Sequence, residues 1–370
     1  MSKILVTGGA GFIGSHLVDA LVSEGHEVVI LDSLEEQVHK GREPDYLNPA
    51  AEFIKGEVSD REMLRKSLDG VEILYHEAAA VGVGQSMYMI EEYMGKNTMA
   101  TSVLMDLLVN EEHSLKKLVV ASSMSIYGEG AYECGEHGIL YPPLRPTEQL
   151  KSHRWEVMCP DCGKPCKPAP TTEEKPVRPT SIYALSKRDQ EELCLITGMS
   201  YGLPTVALRY FNVYGPRQSL SNPYTGVAAI FSSNIKNGNP PIIFEDGNQT
   251  RDFVSVKDIV QANLLVMNSS KADYQAFNVG SGKPTSILGV AEMLAELYGK
   301  NLKPDVQNKY RVGDIRHCYA DISKLKKIGY MPSVDIKNGF RELVEWGKTA
   351  EAVDESKRAA QELKERNLVE

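Results

Sequence analysis

The sequence predicts an α/β fold: a doubly wound parallel sheet with a smaller carboxyl-terminal lobe. Three observations lead there. Short β-branched runs alternate with amphipathic helical stretches from residue 3 to 280. A glycine-rich turn directly follows the first of those runs. The chain of 370 residues, 42% hydrophobic and 25% charged, is long enough for about two domains around a sizeable core.

The opening stretch KILVTGGAGFIGSHLVDALVSEGHEVVILD reads as strand, turn, helix, strand. Ile13, Leu17, Ala20 and Leu21 recur at helical spacing, and EVVIL is a β-branched run ending at Asp32. Gly8, Gly11 and Gly14 allow a tight turn that brings backbone amides at a helix start onto a pyrophosphate. Asp32 closes the unit as an acceptor for an adenosine ribose, and its charge repels a 2′-phosphate, so NAD is favoured over NADP.

The sheet is expected to continue through VEILYH (71–76), KLVVASS (117–123), TVALRY (205–210) and AFNVG (276–280). DREMLRKSL and NTMATSVLMDLLVNEE are helical connections. Ligands of such sheets bind beyond the carboxyl ends of the strands, which places AAAVGVGQS and SSMSIYG at the site.

On the stretch SIYALSKRDQ, Tyr183 and Lys187 are four residues apart and share a helix face. Alone, such a pair is usually a solvated aromatic beside a solvated cation. With Ser123 at the end of a strand on the edge where a nicotinamide would lie, the three side chains converge on one carbon beside the cofactor. A phenol ionises only near pH ~10, and a neighbouring ammonium with a cationic nicotinamide lowers that value toward neutrality. No carboxylate in the local sequence neutralises Lys187.

A net charge of −9 argues against a general nucleic-acid surface or a polybasic membrane anchor, so an acidic substrate needs specific arginines. The start is too briefly apolar for a signal peptide, and no apolar run reaches ~18 residues. A cytoplasmic protein is expected, without membrane or nucleic-acid partner.

Tyr127 and Tyr183 are separated by 56 positions in a stretch rich in proline and charge, with three of the six cysteines in CPDCGKPC. Such a segment builds little core. Cys159, Cys162 and Cys166 have knuckle-like spacing for structural zinc, with Cys134 as the fourth ligand or His137 in its place. Free thiols are the alternative reading. A redox pair is the weakest, because the motif does not open a helix after a strand.

The chain resembles the extended short-chain dehydrogenase/reductase family, and within it the NAD-dependent nucleotide-sugar epimerases. It is UDP-glucose 4-epimerase-like and similar to the dTDP-L-rhamnose 4-epimerase branch. The resemblance rests on TGGAGFIG, SSMSIYG, YALSK, RYFNVYGPRQ, FEDGNQTRDFVSVKD, FNVGSGK and RVGDIRHCYAD, in family order from residue 7 to 321. It implies a Rossmann-type fold with Tyr183 as base and acid, Lys187 tuning it, and Ser123 bonding the reacting 4-oxygen. Phe12 and Ile13 would present amides to the pyrophosphate, and Glu57 and Val58 would meet adenine. Ser33, Ala78, Ala79, Ala80, Asn97, Ser122 and Phe211 would complete the NAD site.

For a nucleotide-diphosphate sugar, the resemblance implies Asn212 at the phosphates, and Arg251 and Arg311 as a diphosphate clamp. Ser125, Val227, Phe244 and Cys318 would line the remainder, Cys318 as a small cap that leaves room for varied sugars. In the family, dehydratases and decarboxylases carry an acid just after the strand-end Ser/Thr. Here Met124 and Ser125 stand there, which leaves C4 epimerisation through a 4-keto sugar. A net 4-reductase and a non-catalytic NAD sensor are the competing readings. Val81 and Glu77 depart from the family pattern near the nicotinamide.

The expected organisation is an NAD-binding domain at 1–210, rejoined by 250–285 and interrupted by a knuckle insertion at 129–178. A substrate lobe follows at 211–249 and 286–350, then a charged, solvated or interfacial helix at 351–370. The resemblance also implies a homodimer pairing the helices around 98–112 and 183–199.

Overall fold

A computed structural model describes residues 1–311 and 313–369. Val312 of the RVGD motif and Glu370 of the tail lie outside the described residues. Seven parallel strands form the main sheet, in the order Gln275–Val279, Thr205–Tyr210, Lys117–Ser123, Ile73–His76, Lys3–Thr7, Glu27–Asp32, Glu52–Lys55. The order reverses direction beside Lys3–Thr7, the doubly wound arrangement of a Rossmann-type fold.

Alternation along each strand sends side chains to two buried faces. Ile4, Val6, Val28, Ile30, Val119 and Ala121 pack on one side with the helices Phe12–Ser23 and Val256–Met267. Leu5, Val29, Leu31, Leu118 and Val120 pack on the other with Arg61–Ser67, Ala100–Asn110 and Ile182–Tyr201. The last of these helices starts where Ser181 Oγ accepts from the Ala184 amide and stops at Gly202, in the left-handed region at φ 71°.

The four later expected strands are found with ends shifted by two residues or fewer. The edge strand Glu52–Lys55 was not expected, because EFIK is too short to show an alternating pattern. Thr250–Ser255 belongs to a second, four-stranded sheet with Asn212–Tyr214, Pro284–Ser286 and His317–Cys318, so only Gln275–Val279 of the returning segment joins the main sheet. Helices Val227–Lys236, Ile287–Leu297 and Ile336–Thr349 cover that lobe around a third core.

The insertion folds into a three-stranded antiparallel sheet of Gly138–Leu140, Ala131–Cys134 and Lys167–Ala169. The tail helix Ser356–Glu365 is docked on its own chain: Ala359 and Leu363 are buried, and Glu362 accepts from Tyr88 Oη (2.9 Å) and Tyr224 Oη (2.5 Å). Among the described residues no helix is long and apolar enough to cross a membrane.

Candidate active site

The glycine turn fits a dinucleotide. Gly8 sits at φ 70°, and a Cβ there would meet Ala78 N at 2.8 Å and Ala78 Cα at 2.9 Å, both backbone atoms that cannot swing away. A Cβ on Gly14 would lie 2.3 Å from the Gly8 carbonyl oxygen. No side chain caps the helix that begins at Phe12, so its first amides, including that of Ile13, are free to meet a phosphate.

Asp32 is buried at the end of its strand. Its Oδ2 accepts from the Ala10 amide (3.0 Å) and its Oδ1 from the Leu34 amide (2.9 Å). Two of about four acceptor positions on the carboxylate remain for ribose hydroxyls. Ser33 follows it, half-buried; exposed Glu57 and buried Val58 follow the neighbouring strand. Asn97 is fully buried in a π-helical turn, Met94–Met99. Its Nδ2 donates to the Ala80 carbonyl (3.0 Å) and its Oδ1 accepts from the Ala80 amide (2.7 Å), so it shapes the Ala78–Ala80 wall through both backbone groups of one residue. Ser122 turns inward and donates to Glu191 Oε2 (2.6 Å), which pairs with Arg209.

Ser123 and Tyr183 are brought together by the sheet and the long helix, close enough for the serine hydroxyl to act on the phenol. Ser123 Oγ also accepts from the Ser125 amide (3.2 Å) and hydroxyl (2.9 Å). The Tyr183 amide donates to Ser86 Oγ (3.0 Å), fixing the helix start to the opposite wall. Burial raises the Tyr183 phenol above its usual value, while the Ser123 hydroxyl beside it pulls it back.

Lys187 is buried and donates to Gln190 Oε1 (2.7 Å). Gln190 in turn donates to Thr101 Oγ1 (2.9 Å) and the Ala78 carbonyl (3.3 Å). Desolvation lowers the ammonium to about 8. The neighbour that lowers the phenol is the Ser123 hydroxyl.

The expectation that no carboxylate attends Lys187 is corrected. Glu77, at the end of a different strand, is the first of the charges that support the ammonium. Glu77 keeps some solvent access at the sheet edge, yet enough protein surrounds it for burial to push its carboxyl up to about 7. It accepts from Tyr210 Oη (2.7 Å). Local spacing could not reveal it, although its place after VEILYH marked a strand end. Beneath it, His76 is driven down to about 3 by burial, then by Lys187, and is held between Thr7 Oγ1 and Thr101 Oγ1, both at 2.9 Å.

The candidate substrate residues lie across the second sheet. Asn212 Oδ1 is buried without a partner, the kind of atom that a ligand satisfies. Arg251 donates to the carbonyls of Thr250 (2.9 Å), Arg316 (3.0 Å) and Ile315 (2.8 Å), which orients its guanidinium. Exposed Arg311 stacks over the Phe244 ring at 4.2 Å. Val227 opens its helix, and Phe211 packs 6.5 Å from the Tyr127 ring. Cys318, 1% exposed, is in the apolar cluster of Met124 and Tyr127 with its sulfur 3.8 Å from Thr171 Oγ1, so it behaves as a small core residue.

In the insertion, Cys134, His137, Cys159 and Cys162 place their ligand atoms within 4.8 Å of one another. Cys166 stands outside that mutual set, with its sulfur 3.9 Å from the Lys164 carbonyl. The expected quartet thus exchanges Cys166 for His137. The repeated Cys-x-x-His/Cys-Gly pattern at 134–138 and 159–163 was the signal for it.

A family model described as the NAD dependent epimerase/dehydratase family matches residues 4–152 and 158–280. A dTDP-L-rhamnose 4-epimerase of Burkholderia thailandensis is 35% identical over 348 residues, covering 93% of this chain and 94% of that protein. A putative UDP-glucose 4-epimerase of Methanocaldococcus jannaschii is 33% identical over 93% of this chain and 98% of its own length. The crystal structure of UDP-glucose 4-epimerase with UDP-glucose from Thermotoga maritima superposes with a TM-score of 0.76 at 31% identity, covering 93% and 98% of the two chains.

Proposed function

We propose that this chain, which belongs to the NAD-dependent epimerase/dehydratase family, inverts C4 of a nucleotide-diphosphate hexose. The glycine turn and Asp32 would hold NAD, which would supply reversible hydride transfer at C4 through a transient 4-keto sugar. Tyr183 takes the proton from the 4-hydroxyl and later returns it. Ser123 donates to whichever oxygen carries the developing charge. Lys187 holds a positive charge at the sheet edge, and Gln190 ties it to the cofactor wall at Ala78.

One observation carries the choice of reaction: no acid stands where an elimination would need one. Met124 is buried in the core and Ser125 is hydrogen-bonded to Ser123. The nearby carboxyl, Glu77, is engaged by Tyr210 Oη. Asn212, Arg251 and Arg311 would hold the diphosphate, and guanidinium suits its oxygens. A homodimer is part of the reading, supported by Met99 (61% exposed), Ile196 (59%) and Met199 (56%) on the helices that would pair.

The test is incubation of the purified protein with UDP-glucose, UDP-galactose, UDP-N-acetylhexosamines and dTDP-L-rhamnose. C4 inversion without accumulation of NADH is expected. Stoichiometric cofactor turnover would overturn the epimerase in favour of a reductase, and no product with any sugar would favour a sensor.

A further inference from the structure

We propose that the insertion is a zinc ribbon with Cys134, His137, Cys159 and Cys162 as ligands, and that the ion braces the strand on which Arg251 is anchored. Two turns of one design supply the ligands, CGEHG and CPDCG. Each ends in a glycine at φ 69°, Gly138 and Gly163, where a Cβ would have open space around it; the backbone conformation, not crowding, calls for glycine. In the first turn the Glu136 amide points at Cys134 Sγ at 3.5 Å; in the second, the Gly163 amide donates to the Cys159 carbonyl at 2.9 Å.

Three of the six separations are close to tetrahedral edges, and all lie within 4.8 Å. With Zn–S near ~2.3 Å and Zn–N near ~2.05 Å, ideal edges are about 3.8 Å for S···S and about 3.6 Å for S···N. Cys134 Sγ lies 3.6 Å from Cys162 Sγ and 3.6 Å from His137 Nδ1, and Cys159 Sγ lies 3.4 Å from the same nitrogen. All four cysteines of the insertion are free thiols rather than disulfides. Three thiolates and an imidazole are the donor set of a closed structural zinc site and a poor one for Mg²⁺ or Ca²⁺.

The knuckle end of the segment has little apolar core of its own. Its buried cluster is Tyr132, Cys134, Val157, Cys159 and Cys166, three of them cysteines. Ion binding would add a large contribution there.

From the ligands, a short path leads to the substrate wall. Tyr132, two residues before Cys134, donates to Glu129 Oε1 (2.6 Å), which accepts from the Arg316 and His317 amides (both 2.9 Å). On the other side, the Thr171 amide donates to the Tyr319 carbonyl (2.8 Å). The insertion so grips both ends of His317–Cys318, the strand that pairs with Thr250 and Arg251. This coupling rests on the reading of Arg251 as a phosphate contact; the metal site does not.

Metal analysis of the full-length protein, purified without chelators, tests the site. The expected result is about one zinc per chain, with Co²⁺ substitution giving tetrahedral d–d bands and thiolate charge transfer. Cys162→Ser should lose the metal and Cys166→Ser should keep it, NAD content reporting in each that the main domain is folded. A chain without zinc, iron in its place, or loss of metal only in Cys166→Ser would overturn the assignment. After zinc is stripped, KM for the sugar nucleotide should rise severalfold while bound NAD is retained. An unchanged KM would overturn the bracing and leave the zinc site standing.

Discussion

Replacing Tyr183 with phenylalanine isolates the proton transfer from the fold. The side chain keeps its ring, and with it the edge-on contact to Tyr93 at 6.5 Å between centroids. What is lost is one hydroxyl and its interaction with Ser123. Ser123 Oγ still accepts from the Ser125 amide and hydroxyl, so no buried group is orphaned and the stability cost stays near ~1 kcal/mol or below. A positioned acid/base contributes ~10²–10⁴ in rate, or about 3–5 kcal/mol of barrier. The expected outcome is a fall of kcat by at least about 100-fold, with Tm within about 3 °C and NAD content unchanged. Separation of C4 epimers after timed incubation measures the first, and thermal melting and nucleotide release the others. If Tyr183→Phe keeps more than about a tenth of wild-type kcat while folded and NAD-loaded, the phenol is not the proton carrier and the mechanism fails.

Gly8→Ala should lose bound NAD and about 2–4 kcal/mol of stability, because the left-handed backbone and the 2.8 Å approach to Ala78 N both resist a methyl group; unchanged NAD in the purified variant would contradict this. Glu77→Gln should be stabilising at pH 8 and nearly neutral at pH 4, read by melting across pH. The Glu77 carboxyl is raised from 4.5 to about 7, so the protonated form's contribution is full below its unfolded pKa and lost as pH rises through about 7. The full shift corresponds to ~3 kcal/mol; partial solvent access and the Lys187 charge reduce the expected gain to about 1–2 kcal/mol. Leu363→Ala should release the tail helix to proteolysis while the main melting transition stays put, since Leu363 packs by Gly84 at the rim rather than in a sheet core. A protease-resistant tail in that variant would show that the polar contacts of Glu362 and Arg366 suffice.

The main sheet was legible because its strands are buried on both faces and read as β-branched runs, and because the glycine turn has a steric reason at Gly8 and Gly14 that shows in the letters alone. The Tyr183–Lys187 face was legible for the same kind of reason, a fixed helical period. What escaped depends on contacts between distant segments. Glu77 reaches Lys187 only because the Ile73–His76 strand ends beside the Ile182–Tyr201 helix. Ser122 alternates inward to Glu191 while Ser123 faces the site, a distinction that a one-residue shift of the strand end reverses. Crowding of three cysteines drew attention to Cys166, whereas the ligand geometry follows the repeated turn and brings in His137 from 22 residues earlier in the chain than Cys159. The tail helix looks solvated in sequence because only Ala359 and Leu363 of its apolar residues are buried.

The proposed catalytic pair, Ser123 and Tyr183, straddles the insertion, and the chain closes that loop at its base. The Arg178 amide donates to the Ile126 carbonyl (2.9 Å), and buried Lys175 donates to the Tyr127 carbonyl (2.8 Å). A Cβ on Gly128, at φ 66°, would lie 2.5 Å from the Arg178 carbonyl oxygen, so the two strands of the neck touch there. With the neck closed, lengthening the loop beyond it costs only a logarithmic entropy term and transmits little strain to Ser123 or Tyr183. The outer part of the insertion instead contacts the substrate side, with Arg145 paired to Glu245 (2.8 Å) and Glu156 to Arg316 (2.6 Å). Variation in the insertion should therefore alter which sugar nucleotide is held before it alters the proton and hydride chemistry, because one end of the loop is pinned beside the reaction and the other is built into the wall of the substrate lobe.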